Sequence, residues 1–371
     1  KNAAKKIRYI KNCYYILLKF LSKKLNKVHK KNYSIDFWGI LIGNWLYTLI
    51  YQNFLNWEIS NKINKKYKIK SFFKINLDPK KLIPENTWHS HFLLKGQSKY
   101  NLCQHWLITS ILEKKYLMNE IKVNLKKSID LEKQIKLLST EDLIVDNIFY
   151  KSMNNRIFYH HWNLPPQVKY NMMRYFKFIE FKTTSKKINT FKPTIFDRSK
   201  IFKVRSQKID FLTFVKDTFQ FTCPKIFLEY FYLLENLYLK LNWPKKPRYI
   251  LTMYPYFEDL FKYYCAKSHQ NGAKILITQH GFDNIFKHDD WEINKVFSKM
   301  QLSWGENNKK NLKHFIFTKI YKPKKVRFRF YNNRRILIIL YSFNEMENRP
   351  PDGYNENYSI NVRIYKSTLN F

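Results

Sequence analysis

Two short apolar runs constrain this chain more than any other feature. Arg248–Met253 (RYILTM) and Lys274–Thr278 (KILIT) each have strand length, and one helix-length pattern lies between them. Tyr256–His269 sets Phe257, Leu260, Phe261 and Tyr264 on one face. Gly272 follows, where a helix end takes a left-handed residue. Two buried strands joined by one such helix form a βαβ unit, so the spacing predicts parallel strands and a right-handed crossover. A third apolar run, Ile336–Tyr341 (ILIILY), follows the basic stretch Lys322–Arg329. The expectation is a helix-rich α/β protein with a parallel sheet.

The chain upstream reads as mostly helical. In residues 1–31, Tyr14, Leu17, Leu18, Leu21 and Leu25 recur at helical spacing opposite a lysine face. Such a helix packs on its own domain or lies on an anionic membrane. Ile35–Phe54 is the most apolar stretch, but Asp36, Asn44 and Gln52 interrupt it, which favours a buried helix over a membrane span. Gly39 and Gly43 permit close helix packing there. Pro79 and Pro84 mark a loop, Leu102–Leu117 a helix, and 118–150 a charged helical stretch. Tyr159–Pro166 (YHHWNLPP) reads as a break. Pro224 suits the first turn of a helix over Lys225–Leu241, which Asn242–Pro247 ends.

The formal net charge is +40, from 68 Lys+Arg against 28 Asp+Glu. Lys, Asn, Ile, Phe and Tyr are abundant together, as an AT-rich coding sequence would make them, and the basic excess is spread along the chain. A field of this sign attracts phosphorylated ligands, acidic lipids and nucleic acid. No zinc finger, RRM signature or basic zipper accompanies it, so no specific nucleic-acid partner is expected. Aromatic residues at 18% exclude ordinary disorder. Cys13, Cys103, Cys223 and Cys265 form no CxxC, which suits a reducing compartment and argues against structural zinc. His89 with His91, and His160 with His161, lack a third ligand at a telling spacing. No P-loop, GxGxxG, GxSxG or HExxH is present.

In open α/β sheets ligands sit beyond the carboxyl ends of the strands. Those ends carry Thr252-Met253-Tyr254 and Gln279-His280-Gly281. The chain has only 7 glycines, so Gly281 beside a strand end suggests a backbone need or a close approach to a ligand. His280 has two readings: a phosphate donor or acid/base group, or a turn histidine satisfied by local backbone. Asp283, His288, Asp289, Asp290 and Glu292 form an acidic cluster best read as a solvated loop.

Several blocks resemble one family in colinear order. They are Asn32–Tyr51, Asn86–Leu112, Pro224-Lys225 with Phe227-Leu228-Glu229, Trp243-Pro244, Thr252, Phe261-Lys262, Gly272, Gln279-His280-Gly281 and Trp304-Gly305. This is similar to the surface-carbohydrate transferase family first named from a spirochaete lipopolysaccharide locus. The resemblance implies a GT-B-like glycosyltransferase, metal-independent and without a cofactor. It implies assembly of lipopolysaccharide, O-antigen or capsule at the inner face of the cytoplasmic membrane, with the enzyme cytoplasmic and peripheral on anionic lipid. Its partners would be a nucleotide-sugar donor (a CMP-linked acidic sugar is one candidate) and a glycan or lipid-linked acceptor. Phe282 departs from the family's second glycine.

Carried onto this chain, the resemblance makes His280 the general base or positioning group and Glu292 the acid/base alternative. Gln279 would orient His280, Gly281 would give backbone access, and Thr252 would bind substrate. It divides the chain into a mainly helical acceptor-side part at 1–240, a βαβ Rossmann-like part at 241–330, and a truncated start of the donor domain at 331–371. On that reading the segment is an internal piece that alone should not transfer sugar. The rival expectation is a non-catalytic basic membrane-surface or assembly protein.

Overall fold

The structure is a computed structural model and describes residues 2–67, 70–95, 102–124, 148–160, 170–171, 173–175, 177–182, 192–204, 209–252, 257–278, 298, 300–303 and 312–314. Helix α1 (Asn2–His29) buries Ile10, Cys13, Tyr14, Leu17, Leu18, Leu21 and Leu25, the face its spacing marks out. It stops at Lys30, which takes a left-handed φ of 53° while the Lys31 N–H returns to the Asn26 carbonyl at 2.9 Å. The Asn26 side chain then fixes the turn. Its Oδ1 accepts from the Tyr33 N–H at 3.1 Å and the Trp38 indole at 2.9 Å, and its Nδ2 donates to the Tyr33 carbonyl at 2.8 Å.

Helix α2 (Ile35–Tyr67) opens on a Ser34 hydroxyl that accepts from the Phe37 N–H at 3.1 Å. It runs past Phe54 to Tyr67 and is buried almost all round, because α1 and several later helices pack on it. Among the described residues, no helix is long and apolar enough to cross a membrane.

Next come β1 (Ser71–Ile75), a short 3-10 turn (Pro79–Leu82), α3 (Thr87–Lys95), α4 (Leu102–Tyr116) and β2 (Asn119–Val123). β1 and β2 pair in parallel as a separate two-stranded sheet. The helical expectation for 118–150 therefore gives way at both ends, to β2 and to β3 (Ile148–Ser152), while 125–147 lie outside the described residues. Leucines and isoleucines at intervals among charges mimic a helical face; pairing to distant strands decides these two segments instead.

β4 (Ile157–His160) and β5 (Phe178–Lys182) flank β3 in antiparallel register. Short α5 (Arg198–Phe202) and α6 (Phe211–Thr222) precede a 3-10 turn (Lys225–Phe227) and α7 (Phe231–Lys240). The single helix expected over 225–241 is thus broken. The Lys225 and Ile226 N–H groups donate to the Pro84 and Glu85 carbonyls, at 2.8 and 2.9 Å, and this tie to a distant loop holds the segment out of helix.

The βαβ unit forms as expected: β6 (Tyr249–Thr252), α8 (Asp259–Gln270) and β7 (Lys274–Thr278), with parallel register from Tyr249 opposite Lys274 to Thr252 opposite Ile277. Gly272 takes a φ of 89° just past α8. β8 (Met300–Ser303) and β9 (Leu312–His314) extend the sheet in parallel. The strand order is β5-β3-β4-β6-β7-β8-β9; β4, β6, β7, β8 and β9 are parallel, and β3 runs against both of its neighbours, β4 and the edge strand β5. Strands from both sides of residue 240 thus share one sheet. Ile336–Tyr341 lies outside the described residues.

Candidate functional site

The parallel register aligns the carboxyl ends of β4 and β6, so that His160 stands opposite Thr252 as the last pair. His160 is fully buried. Its ring is sandwiched between Phe261 of α8, 3.9 Å away at 28°, and Phe149 of β3, 4.8 Å away at 23°. Nδ1 lies 3.2 Å from the Thr252 hydroxyl, and Nε2 lies 2.9 Å from a Glu258 carboxylate oxygen. Glu258 immediately precedes α8 and is itself buried. The result is a carboxylate, an imidazole and a hydroxyl side by side at the sheet's carboxyl edge, with the Glu258 oxygen at ion-pair distance from Nε2 but outside hydrogen-bond geometry. A carboxylate and a hydroxyl this close can orient an imidazole. Thr252 is 1% exposed, so its hydroxyl is a partner of the imidazole rather than a surface nucleophile.

Helix α3 brings a second set of groups to the start of α8. Trp88 meets Phe257 edge to face at 4.7 Å, and His91 meets Phe257 at 4.6 Å. All three rings are only partly buried. They form an aromatic rim beside Glu258. Below them the Asp259 carboxylate accepts from the Thr87 N–H at 3.0 Å and from its hydroxyl at 2.5 Å. Lys262, fully buried, pairs with Asp259 at 2.8 Å and donates to the Thr87 hydroxyl at 2.7 Å. Burial holds the Lys262 ammonium below the usual lysine range, and Asp259 opposes that shift.

His89, on the buried side of α3, accepts from the Glu85 N–H at Nδ1, 3.1 Å away. Its proton therefore sits on Nε2, a buried donor with no hydrogen-bond partner among the described residues. Burial lowers its pKa to about 4, with nearby Lys225 adding to the effect. Among the described residues no three His, Cys, Asp or Glu side chains are arranged to hold a metal.

Of the residues expected from sequence, Thr252 is the one described, and it stands at the strand end as anticipated. Gln279, His280, Gly281 and Glu292 lie outside the described residues, as do Asp283, His288, Asp289 and Asp290. β7 is described as far as Thr278. The sequence reading missed His160 and Glu258 as functional groups. His160 was hidden in a segment read as a break, although an apolar run ending in histidine is itself a strand-end signal.

A family model described as LIC12162 family transferase matches residues 1–358. The chain belongs to that family. The match spans nearly the whole sequence, so it covers the helical layer and the sheet alike. Membership places the chain among transferases, in agreement with the class expected from its motifs. No curated protein matches the chain, and no solved structure does.

Proposed function

We propose that this LIC12162-family transferase is a glycosyltransferase of bacterial surface-polysaccharide assembly. It moves a sugar from a nucleotide-sugar donor to a glycan or lipid-linked acceptor of the lipopolysaccharide, O-antigen or capsule type. The observation that carries the reading is the row Glu258–His160–Thr252 at the carboxyl edge of a parallel sheet in a transferase. That edge is where open α/β sheets bind ligands. In this reading the arrangement is GT-B-like and the donor domain lies largely beyond the described residues.

The chemistry is a displacement at the anomeric carbon. A base takes the acceptor hydroxyl proton, the hydroxyl oxygen attacks, and the donor phosphate leaves with the bonding pair. His280 is the proposed base or positioning group, Gln279 orients it, Gly281 admits the ligand backbone-side, and Glu292 is the alternative acid/base. Thr252, held by His160, lines the substrate side. The proposed setting is the inner face of the cytoplasmic membrane. In support, α1 turns Arg8, Lys19, Lys23 and Lys27 outward beside Tyr9, Tyr15 and Ile16, which are 43%, 46% and 48% exposed. A basic face carrying exposed aromatics suits anionic headgroups.

The test is to incubate the full natural chain with UDP-, GDP- and CMP-linked sugars and lipid-linked acceptors, and to follow nucleotide release. Release that depends on acceptor, and that His280→Ala abolishes without unfolding the protein, is expected. No release and no nucleotide binding with any donor would overturn the proposal.

A further inference from the structure

The small β1–β2 sheet breaks the rule by which sheets are built. Its face toward α4 should be apolar, and its outer face polar. The pattern found is mixed. Lys74, Glu120 and Lys122 share the face toward α4 with the buried Phe72, while Phe73, Ile121 and Val123 are 68%, 46% and 39% exposed on the other. Lys74 reaches α4 directly, donating to Glu113 at 2.6 Å as well as to Glu120 at 2.6 Å. Charges set beside an apolar residue on an inner face, with apolar residues turned outward, are a local departure of the kind found at functional sites.

Between this sheet and α4 lies a cleft of about 320 Å³. One wall is aromatic: Trp106 of α4 meets Phe221 of α6 edge to face at 5.4 Å. Helix α4 also lends the cleft His105 and Glu113, and Asn76 lines it from just past β1. His105 accepts from the Ile75 N–H at Nε2, 3.1 Å away, so Nδ1 carries its proton. Burial lowers its pKa, which keeps the ring neutral at pH 7. The lysines of the cleft are spoken for: Lys74 and Lys122 by Glu113 and Glu120, and Lys114 by Asp217. In a chain of net charge +40, the cleft is close to balanced: three lysines face two glutamates of the lining and Asp217 beside it. It offers little surplus positive charge to an anion.

A cleft lined by aromatic rings together with carboxylate, amide and imidazole groups matches the surface of a sugar ring. The apolar C–H face lies against the aromatic, and the hydroxyls exchange hydrogen bonds with the polar groups. The volume sits at the lower end for small-molecule sites, which suits one or two rings. We propose that the cleft between the β1–β2 sheet and α4 binds an uncharged sugar residue. None of its lining residues belongs to the row at the edge of the large sheet. Its biological use, holding a neutral sugar of the acceptor glycan, rests on the glycosyltransferase reading, but binding itself does not.

The probes are methyl glycosides of glucose, galactose, mannose, rhamnose and N-acetylglucosamine, observed by saturation-transfer NMR on the full chain. At least one should give a signal, and Glu113→Ala and Trp106→Ala should each reduce it fivefold or more. Trp106→Phe, which keeps an aromatic wall, should retain most of it and serves as the control for folding. Absence of signal with every glycoside overturns the proposal, as does a signal that both variants leave unchanged. Displacement of the glycoside by inorganic phosphate would also overturn it, since the cleft would then be an anion site. Glycoside binding without nucleotide release from any donor would leave the cleft standing and remove the transferase chemistry proposed above.

Discussion

Thr87 gives both of its donors to one carboxylate: its N–H and its hydroxyl reach the two oxygens of Asp259, at 3.0 and 2.5 Å, across 172 residues of sequence. Each residue is the first of its helix, so this pair fixes the start of α3 against the start of the crossover helix α8. Lys262 completes the cluster from one turn further along α8. All three side chains are buried, which makes the charges costly to leave alone.

Lys262→Met is therefore expected to destabilise the protein by about 3–5 kcal/mol, because Asp259 is left as an uncompensated buried charge. Thr87→Val keeps the N–H donor and the shape, and should cost about 1–3 kcal/mol. Chemical denaturation of both variants measures the difference. Equal and small effects would show that the cluster is solvated rather than sealed.

Acid should weaken the fold through two histidines. Burial lowers His29, whose ring donates to the Phe227 carbonyl at 3.0 Å, to about 4, and lowers His89 to about 4. In the unfolded chain both take up a proton near the ordinary value of about 6.5. The native state binds fewer protons between those values, so the stability is full above pH 6.5 and is lost as pH falls toward 4. Each group contributes about 3 kcal/mol to that loss. Denaturation midpoints recorded from pH 7.5 down to 4.5 should fall steadily. In His89→Gln the fall should be shallower, and an unchanged slope would contradict the assignment.

Gly43 sits where α2 crosses α1. A Cβ placed there would lie 2.7 Å from the Tyr14 hydroxyl oxygen but 3.8 Å from the ring carbon that bears it. Gly43→Ala should cost about 1–3 kcal/mol through overpacking. Tyr14→Phe removes the clashing atom, so the double variant should recover most of that loss. A double-mutant cycle on thermal midpoints reads the coupling directly.

Glu258→Gln keeps the size of the side chain facing His160 and removes its charge. The proposed function has His160 hold Thr252 on the substrate side, so loss of the carboxylate beside His160 should lower kcat while the donor KM holds. A purely structural role would instead move the denaturation midpoint and leave kcat alone.

The sequence made the β6–α8–β7 unit legible because central parallel strands are buried on both faces and read as continuous apolar runs. β4 escaped notice for two reasons. Its run ends in a polar histidine pair, and its partner is distant: His160 and Thr252 are 92 residues apart. β1 and β2 were illegible for the reason that makes them informative, since Lys74, Glu120 and Lys122 join Phe72 on the face where an apolar row would signal a strand. The break at Leu228–Tyr230 followed from backbone ties to Pro84 and Glu85, which no local pattern records. Thr252 was found by position at a strand end; Glu258 looks in sequence like any acidic residue before a helix.

The all-round burial of α2 has a consequence during synthesis. Much of its apolar surface is covered by α8, which begins roughly 190 residues after α2 ends. At about 5–20 residues per second, the ribosome takes about 10–40 s to deliver that cover. Throughout this interval a helix built to touch protein on every side has α1 as its main shelter. The nascent chain should therefore be a client of chaperones that bind apolar helices, and its yield should depend on translation speed more than its final stability would suggest.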